Sequence, residues 1–243
     1  MPKHIDGLSW KGYEGQDYEQ FWVGPGKRHL DALERAIASH ALPGGGAVTE
    51  IGAGFGRLGG CYVGKYRTSH MVEPASNLRA IAESTYGDAV QYHDAAAERL
   101  PFPSGSIDAV LMVRVFHHIA GPEAVLREIH RVLAPGGRLV FNFSNKRNPR
   151  RIARYVLGRG PSPFTPDMEQ YDAALIGHSP AHVETMLAHI GFDIVERYGV
   201  GFTDKVIEAV PALGRVFAPS LALARAIGPL NIAPAQFVVA GKR

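Results

Sequence analysis

A doubly wound, three-layer α/β domain with a mostly parallel sheet is the fold this sequence predicts. Three observations carry that expectation. Short apolar runs alternate with helical segments, a glycine-rich turn follows the first run, and 243 residues with 46% hydrophobic content are enough for one sizeable core. Taken in chain order, residues 1 to about 25 are polar and aromatic, with Tyr13, Tyr18, Phe21 and Trp22 among glycines and acids, and read as an arm docked on a domain. A helix is expected over 27–39, where Leu30, Leu33, Ala36 and Ile37 have helical spacing, and Pro43-Gly44-Gly45-Gly46 stops it. Strands are expected over 47–51, 69–73, about 89–92, 107–113 and 138–143. Because helical segments separate them, right-handed crossovers must join them in parallel. Two segments break the rhythm: 144–180 is rich in Arg and Pro, and 202–234 in Ala, Leu and Pro. Both read as substrate-side insertions over the sheet's carboxyl edge, where open α/β folds bind ligands. Between them lie a helix over 182–190, a turn at Gly191 and a strand over 192–198, and a last strand spans 236–240. With no internal repeat, 1–243 reads as a single domain.

Composition narrows the function classes. A formal charge of +3 permits acidic substrates or a membrane surface but falls short of a nucleic-acid signature. The single cysteine, Cys61, excludes an internal disulfide or a multi-cysteine metal cage and fits a reducing setting, with the residue itself in the core. Met1 to Asp6 lacks the apolar run of a signal peptide, and no stretch has the uninterrupted apolar length of a membrane span, so cytoplasm is the expected compartment.

The most informative segment is Glu50-Ile51-Gly52-Ala53-Gly54-Phe55-Gly56-Arg57, three alternating glycines where a strand should turn into a helix. Missing side chains let the backbone turn tightly and come close to a ligand, while the following helix offers unpaired N–H groups. A dinucleotide site would show G-x-G-x-x-G, and Arg57 occupies its third glycine position, which argues against NAD or FAD. A phosphate-loop near-match at 59–65 is followed by Tyr66 rather than Ser or Thr, so the metal-holding hydroxyl is missing. The bland alternative is a tight turn without a ligand. About twenty residues beyond the first glycine, Met71-Val72-Glu73-Pro74 ends a strand with a carboxylate able to accept from both hydroxyls of a ribose. Alone, such an acid is ordinarily solvated surface.

Glu50 to Arg57 resembles motif I of the class I S-adenosylmethionine-dependent methyltransferases, and Glu73 sits where their ribose-binding acid does. Ala97-Glu98-Arg99-Leu100-Pro101-Phe102-Pro103 followed by Gly105-Ser106-Ile107-Asp108-Ala109-Val110 resembles a block of the ubiquinone/menaquinone C-methyltransferase-like (methyltransferase type 11) branch. The likeness continues through Phe116-His117-His118-Ile119 and Leu126 to Leu139, so that it covers about residues 45–145. The resemblance implies a Rossmann-like, seven-stranded sheet whose last strand runs antiparallel between the fifth and sixth. It also implies S-adenosyl-L-methionine as cofactor, with Gly52, Ala53, Gly54 and Gly56 on the loop side and Glu50 near the amino-acid portion. Glu73 and Pro74 would lie at the ribose, Ala97 and Glu98 at the adenine, and the Val113 carbonyl near the methionine ammonium. One departure stands out: many members carry Asp just before the residue equivalent to Ala97, whereas this chain has Ala96, leaving Asp94 or Glu98 as substitutes.

A sulfonium methyl is already activated, so such an enzyme mainly aligns the nucleophile and excludes water, a base being optional. His117 and His118, after the fourth strand, are the candidate catalytic pair, against the bland reading of local packing, and His178 is a further candidate, more readily read as a helix cap. Neither metal-ligand spacing nor a G-x-S-x-G elbow occurs. The cationic run from Lys146 to Arg154 suits a phosphate, a carboxylate or anionic lipid, its bland reading being a solvated helix face. The apolar residues of 206–230 read as core or lid because Pro211, Pro219 and Pro229 interrupt any long surface helix. The expected partner is a small acceptor, acidic or lipophilic, methylated at oxygen, nitrogen or carbon. The alternatives are an RNA or protein methyltransferase, a non-catalytic binder of the cofactor, and a dehydrogenase, the last disfavoured by Arg57.

Overall fold

The computed structural model describes residues 18–171, 175–215 and 218–243. Tyr13 and most of the expected N-terminal arm lie outside the described residues, as do Val216 and Phe217 of the second insertion.

Helix α1 (Pro25–Ala41) opens with proline in its first turn, where a missing N–H costs nothing, and buries the stripe Leu30, Leu33, Ile37 and Ala41. It extends beyond 27–39 at both ends. There follow β1 (Gly45–Ile51), β2 (Tyr66–Val72), α2 (Ser76–Tyr86), β3 (Gln91–His93), β4 (Ile107–Met112), α3 (Pro122–Val132) and β5 (Leu133–Ser144). Strand β5 starts earlier than its apolar run because the turn Ala134-Pro135-Gly136-Gly137 is absorbed as an irregularity: Ile107 pairs with Leu133, and Ala109 already pairs with Arg138.

The first insertion folds as α4 (Pro149–Val156) and a short ribbon of β6 (Glu169–Gln170) with β7 (Ile176–Gly177). Helix α5 (Pro180–Ile190) again starts on proline and ends at Gly191, whose φ of 108° is the left-handed stop expected there. Strand β8 (Phe192–Val200) leads into the second insertion, which holds α6 (Thr203–Ala209) and α7 (Leu221–Ile227), and β9 (Ala235–Lys242) closes the chain. Proline interrupts this segment as expected: α6 ends two residues before Pro211.

The described residues form a seven-stranded sheet in the order β3-β2-β1-β4-β5-β9-β8. Strand β9 is antiparallel to both neighbours, and every other pairing is parallel. Helices cover both faces, and alternation along each strand divides the core. Val48, Leu111, Val140 and Val239 pack under α1 with Leu33 and Ile37. Val110, Met112, Leu139 and Phe141 pack under α3 and α5 with Ile129 and Leu187. Cys61 is buried in the first of these layers. Strand order reverses between β1 and β4, and this switch point opens a crevice beyond their carboxyl ends. Among the described residues no helix is long and apolar enough to cross a membrane.

Candidate functional site

The crevice is a cleft with about 1110 Å³ of empty space, a figure that includes its solvent-open mouth. Its wall is the loop after β1. The N–H groups of Gly52 and Ala53 both donate to the Val72 carbonyl, at 2.8 and 3.2 Å, which ties the loop to the end of β2. Gly52 and Gly54 have φ of 65° and 56°, conformations that favour glycine, and their missing side chains serve different ends. A Cβ on Gly52 would lie 2.3 Å from a Val115 methyl, so this glycine lets the segment after β4 come close. A Cβ on Gly54 would meet nothing within 4 Å: the backbone there is open to the cleft.

Opposite this bare backbone, Glu73 accepts from Gly54 N–H at 2.8 Å and from Ala75 N–H at 2.9 Å, which fixes the carboxylate at the cleft wall beside Pro74. Deeper in, Glu50 is almost fully buried and accepts from the Tyr62 hydroxyl at 2.9 Å. Burial pushes its pKa up to about 7, partly opposed by that hydrogen bond and by the Arg57 guanidinium.

Most of the residues expected in the site meet here: Glu50, Gly52, Ala53, Gly54, Glu73, Pro74, Ala97, Glu98, Val113 and His118 line one cleft, although they come from widely separated parts of the chain. Gly56 does not line it. Its missing Cβ makes room for the Tyr86 ring, 2.9 Å from where that carbon would be, so this glycine serves helix packing. Of the two residues considered as substitutes at the adenine side, Glu98 lines the cleft while Asp94 is exposed and lies 3.6 Å from Arg79.

The histidines separate in the same way. Phe116–His118 is one turn of 3-10 helix with the two imidazoles 4.2 Å apart, but only His118 borders the cleft. Burial, the neighbouring His118 and the Arg114 guanidinium hold the His117 pKa well below the ordinary value, so the ring stays neutral. His178 neither lines the cleft nor caps α5, whose N-cap residue is Ser179. Its backbone instead extends the sheet, donating to the Ser144 carbonyl at 2.8 Å and accepting from Lys146 N–H at 3.1 Å. Its ring packs 4.7 Å from that of Phe116, and burial pushes its pKa down to about 4. The near-match at 59–65 is no phosphate cradle, because Gly59–Cys61 is a 3-10 turn packed against Tyr86 and Met71.

Sequence reasoning missed one side of the cleft, formed by Trp22, Arg57 and Arg114. Arg57 donates to Glu34 at 2.7 Å, pairs with Asp31, and sits 3.9 Å from the centre of the Trp22 ring. Arg114 has a φ of 63°, unusual for a residue with a side chain, and its N–H donates to the Asn142 side chain at 2.6 Å. Its guanidinium reaches the same Glu34, with Nε at 3.0 Å and a terminal nitrogen at 2.8 Å. Glu34 is completely buried and joins the two arginines. A signal was present: Glu34 stands on the apolar stripe of α1, one position after Leu33 and three before Ile37, where a lone acid needs a buried partner.

Residues 49–141 match the family described as "Methyltransferase domain". A ubiquinone/menaquinone biosynthesis C-methyltransferase of Hahella chejuensis is 45% identical over 65 residues, 26% of each chain. A dimethylglycine N-methyltransferase of Parasynechococcus marenigrum is 30% identical over 157 residues, 53% of this chain and 55% of that protein. The chain thus spans between a quarter and about half the length of these curated relatives. Among solved structures, a Thermotoga maritima S-adenosylmethionine-dependent methyltransferase, a possible histamine N-methyltransferase, superposes with a TM-score of 0.63 at 22% identity, covering 97% of this chain and 100% of that one.

Proposed function

Since residues 49–141 match the methyltransferase-domain family, we propose that the chain binds S-adenosylmethionine in the cleft and transfers its methyl group to a small-molecule acceptor. The observation that carries this reading is the open backbone at Gly54 hydrogen-bonded to the fixed carboxylate of Glu73, because an adenosyl group needs a bare wall and a ribose acceptor side by side. Glu73 would take the ribose hydroxyls and the Gly52–Gly54 backbone would flank the methionine portion. Ala97 and Glu98 would meet the adenine edge. The Val113 carbonyl and the Glu50 carboxylate would face the amino-acid ammonium.

The bound cofactor supplies an electrophilic methyl group, and the chain supplies placement. Trp22, Arg114 and Val115 line the cleft and would close its acceptor side against water, so that the nucleophile would be held in line rather than activated by strong chemistry. Where the acceptor carries a proton, His118 is the base at hand: it borders the cleft, and its neighbour His117 is held neutral. One relative is named for carbon methylation in ubiquinone/menaquinone biosynthesis and another for nitrogen methylation of dimethylglycine, so the acceptor here is left at its class, a small molecule methylated at oxygen, nitrogen or carbon.

Titration with S-adenosylhomocysteine and, separately, with NADH tests the cofactor. Saturable binding of the first alone is expected, and a preference for NADH would overturn the proposal. Labelled methyl transfer to phenols, quinones and amines then tests the chemistry, absence of transfer to all of them favouring a binder without activity.

The cleft also implies a pH dependence. With a pKa near 7, Glu50 is mostly neutral at pH 6 and mostly ionised at pH 8, and only the ionised form attracts the ammonium of the ligand. Affinity for S-adenosylhomocysteine is expected to rise by up to about tenfold across that window, the ratio of ionised fractions, and Glu50→Gln should flatten the profile. A wild-type profile already flat would mean that Glu50 does not face the ligand's charge.

A further inference from the structure

The basic segment after β5 is not one surface but a buried anchor and an exposed tip. Lys146, 1% exposed, donates through Nζ to the Thr165 hydroxyl at 2.8 Å and to the Asp167 carbonyl at 2.6 Å, and so pins the far side of the insertion. Asn148 caps α4 by accepting from Arg151 N–H at 3.2 Å, and Arg151 pairs with Glu169 and lies over the Tyr171 ring at 3.5 Å. These bonds hold out four large apolar side chains, with Val156 75%, Leu157 65%, Phe164 50% and Tyr155 44% exposed. The Tyr155 and Phe164 rings meet edge to face at 6.1 Å, and the Arg147 guanidinium lies 5.4 Å from the centre of the Phe164 ring, which leaves both rings about half-exposed. Close to them in the chain are the exposed Arg150, Arg154 and Arg159, of which Arg154 donates to the Arg159 carbonyl at 3.2 Å and none joins an ion pair among the described residues.

We propose that this tip, the end of α4 with the exposed Tyr155, Val156, Leu157 and Phe164 and the neighbouring exposed Arg150, Arg154 and Arg159, docks on an anionic phospholipid bilayer. Guanidiniums match phosphate head groups, and the apolar side chains between them can enter the boundary of the acyl region. The same complementarity disfavours a second copy of the chain, since like tips repel. A nucleic acid would satisfy the arginines but offers Val156 and Leu157 no apolar environment. Because α4 follows the carboxyl end of β5, the tip belongs to the edge of the sheet that carries the cleft, an arrangement suited to a lipophilic acceptor. The docking itself is independent of the methyl-transfer reading and is tested without it.

The test is co-sedimentation of the full chain with phosphatidylcholine vesicles, with or without about 30% phosphatidylglycerol, at low and high salt. Binding is expected to the anionic vesicles only and to weaken as salt rises. Arg150→Ala, Arg154→Ala and Arg159→Ala together should lower it about 100-fold, roughly fivefold per arginine. The pair Val156→Asp and Leu157→Asp should lower it at least about tenfold at low salt, while both variants, altered only at exposed positions, keep the far-ultraviolet circular dichroism and melting temperature of the wild type. No binding to anionic vesicles, equal binding to neutral ones, full retention by the aspartate variant, or binding to an RNA oligonucleotide in preference to vesicles would each overturn the proposal.

Discussion

Replacing Gly54 by valine is expected to weaken S-adenosylhomocysteine binding by at least about 100-fold while the far-ultraviolet circular dichroism stays that of the folded chain. Two costs add. A β-branched residue at a φ of 56° is strained by ~1–2 kcal/mol, so the free loop relaxes away and binding must restore the strained form. The new side chain also projects into the space where nothing lies within 4 Å, the space assigned to the ligand, and crowding of that kind costs ~1–3 kcal/mol. About 3 kcal/mol together corresponds to that loss of affinity. Gly54→Ala carries the strain with a smaller obstruction and should fall between the two. Calorimetric titration of all three proteins is the measurement, and wild-type affinity in the valine variant would mean that the cofactor does not lie along this backbone.

The second large effect concerns stability. Glu34→Ala removes the one carboxylate shared by Arg57 and Arg114, leaving Asp31 for Arg57 and no acid for Arg114 among the ion pairs of the described residues. Breaking a buried pair by deleting one partner costs up to ~3–5 kcal/mol, and here the loss falls mainly on Arg114, whose guanidinium is left without a matching acid while only about a fifth exposed. For a chain of this size that corresponds to a melting temperature lower by about 10 °C. The loss should reach the site as well, since both arginines and the Trp22 ring beneath Arg57 line the cleft. Differential scanning calorimetry decides the first point. A shift under about 1 °C would mean that the three side chains do not form the buried cluster.

The two predictions rest on parts of the site that the sequence revealed unequally. The loop from Glu50 to Arg57 was legible because its shape is carried by backbone, and glycines at alternate positions after an apolar run announce a left-handed turn whatever the rest of the chain does. Glu73 was legible for a related reason: a strand of known direction must deliver its last residue to the same edge as the loop. Gly56 and His117 do not line the cleft, because spacing along a chain does not tell toward which neighbour a side chain turns. Gly56 accommodates Tyr86 from α2, and His117 turns from the cleft beside His118. Arg57 illustrates the same limit, since the sequence registered it only as a departure from a dinucleotide pattern.

By itself, then, the order of residues determined the alternation of strands and helices, the parallel sheet with its closing strand, and the bare loop with its acid, all of which depend on local periodicity and on side chains that are missing. The tertiary structure alone decided that Glu34, Arg57, Arg114 and Trp22 meet, that Lys146 is an anchor rather than part of a basic face, and that Val156 and Leu157 stand in solvent. The physical reason is that each of these depends on a pairing between distant segments: a buried charge is tolerable only where its partner arrives, and no local rule fixes where that will be.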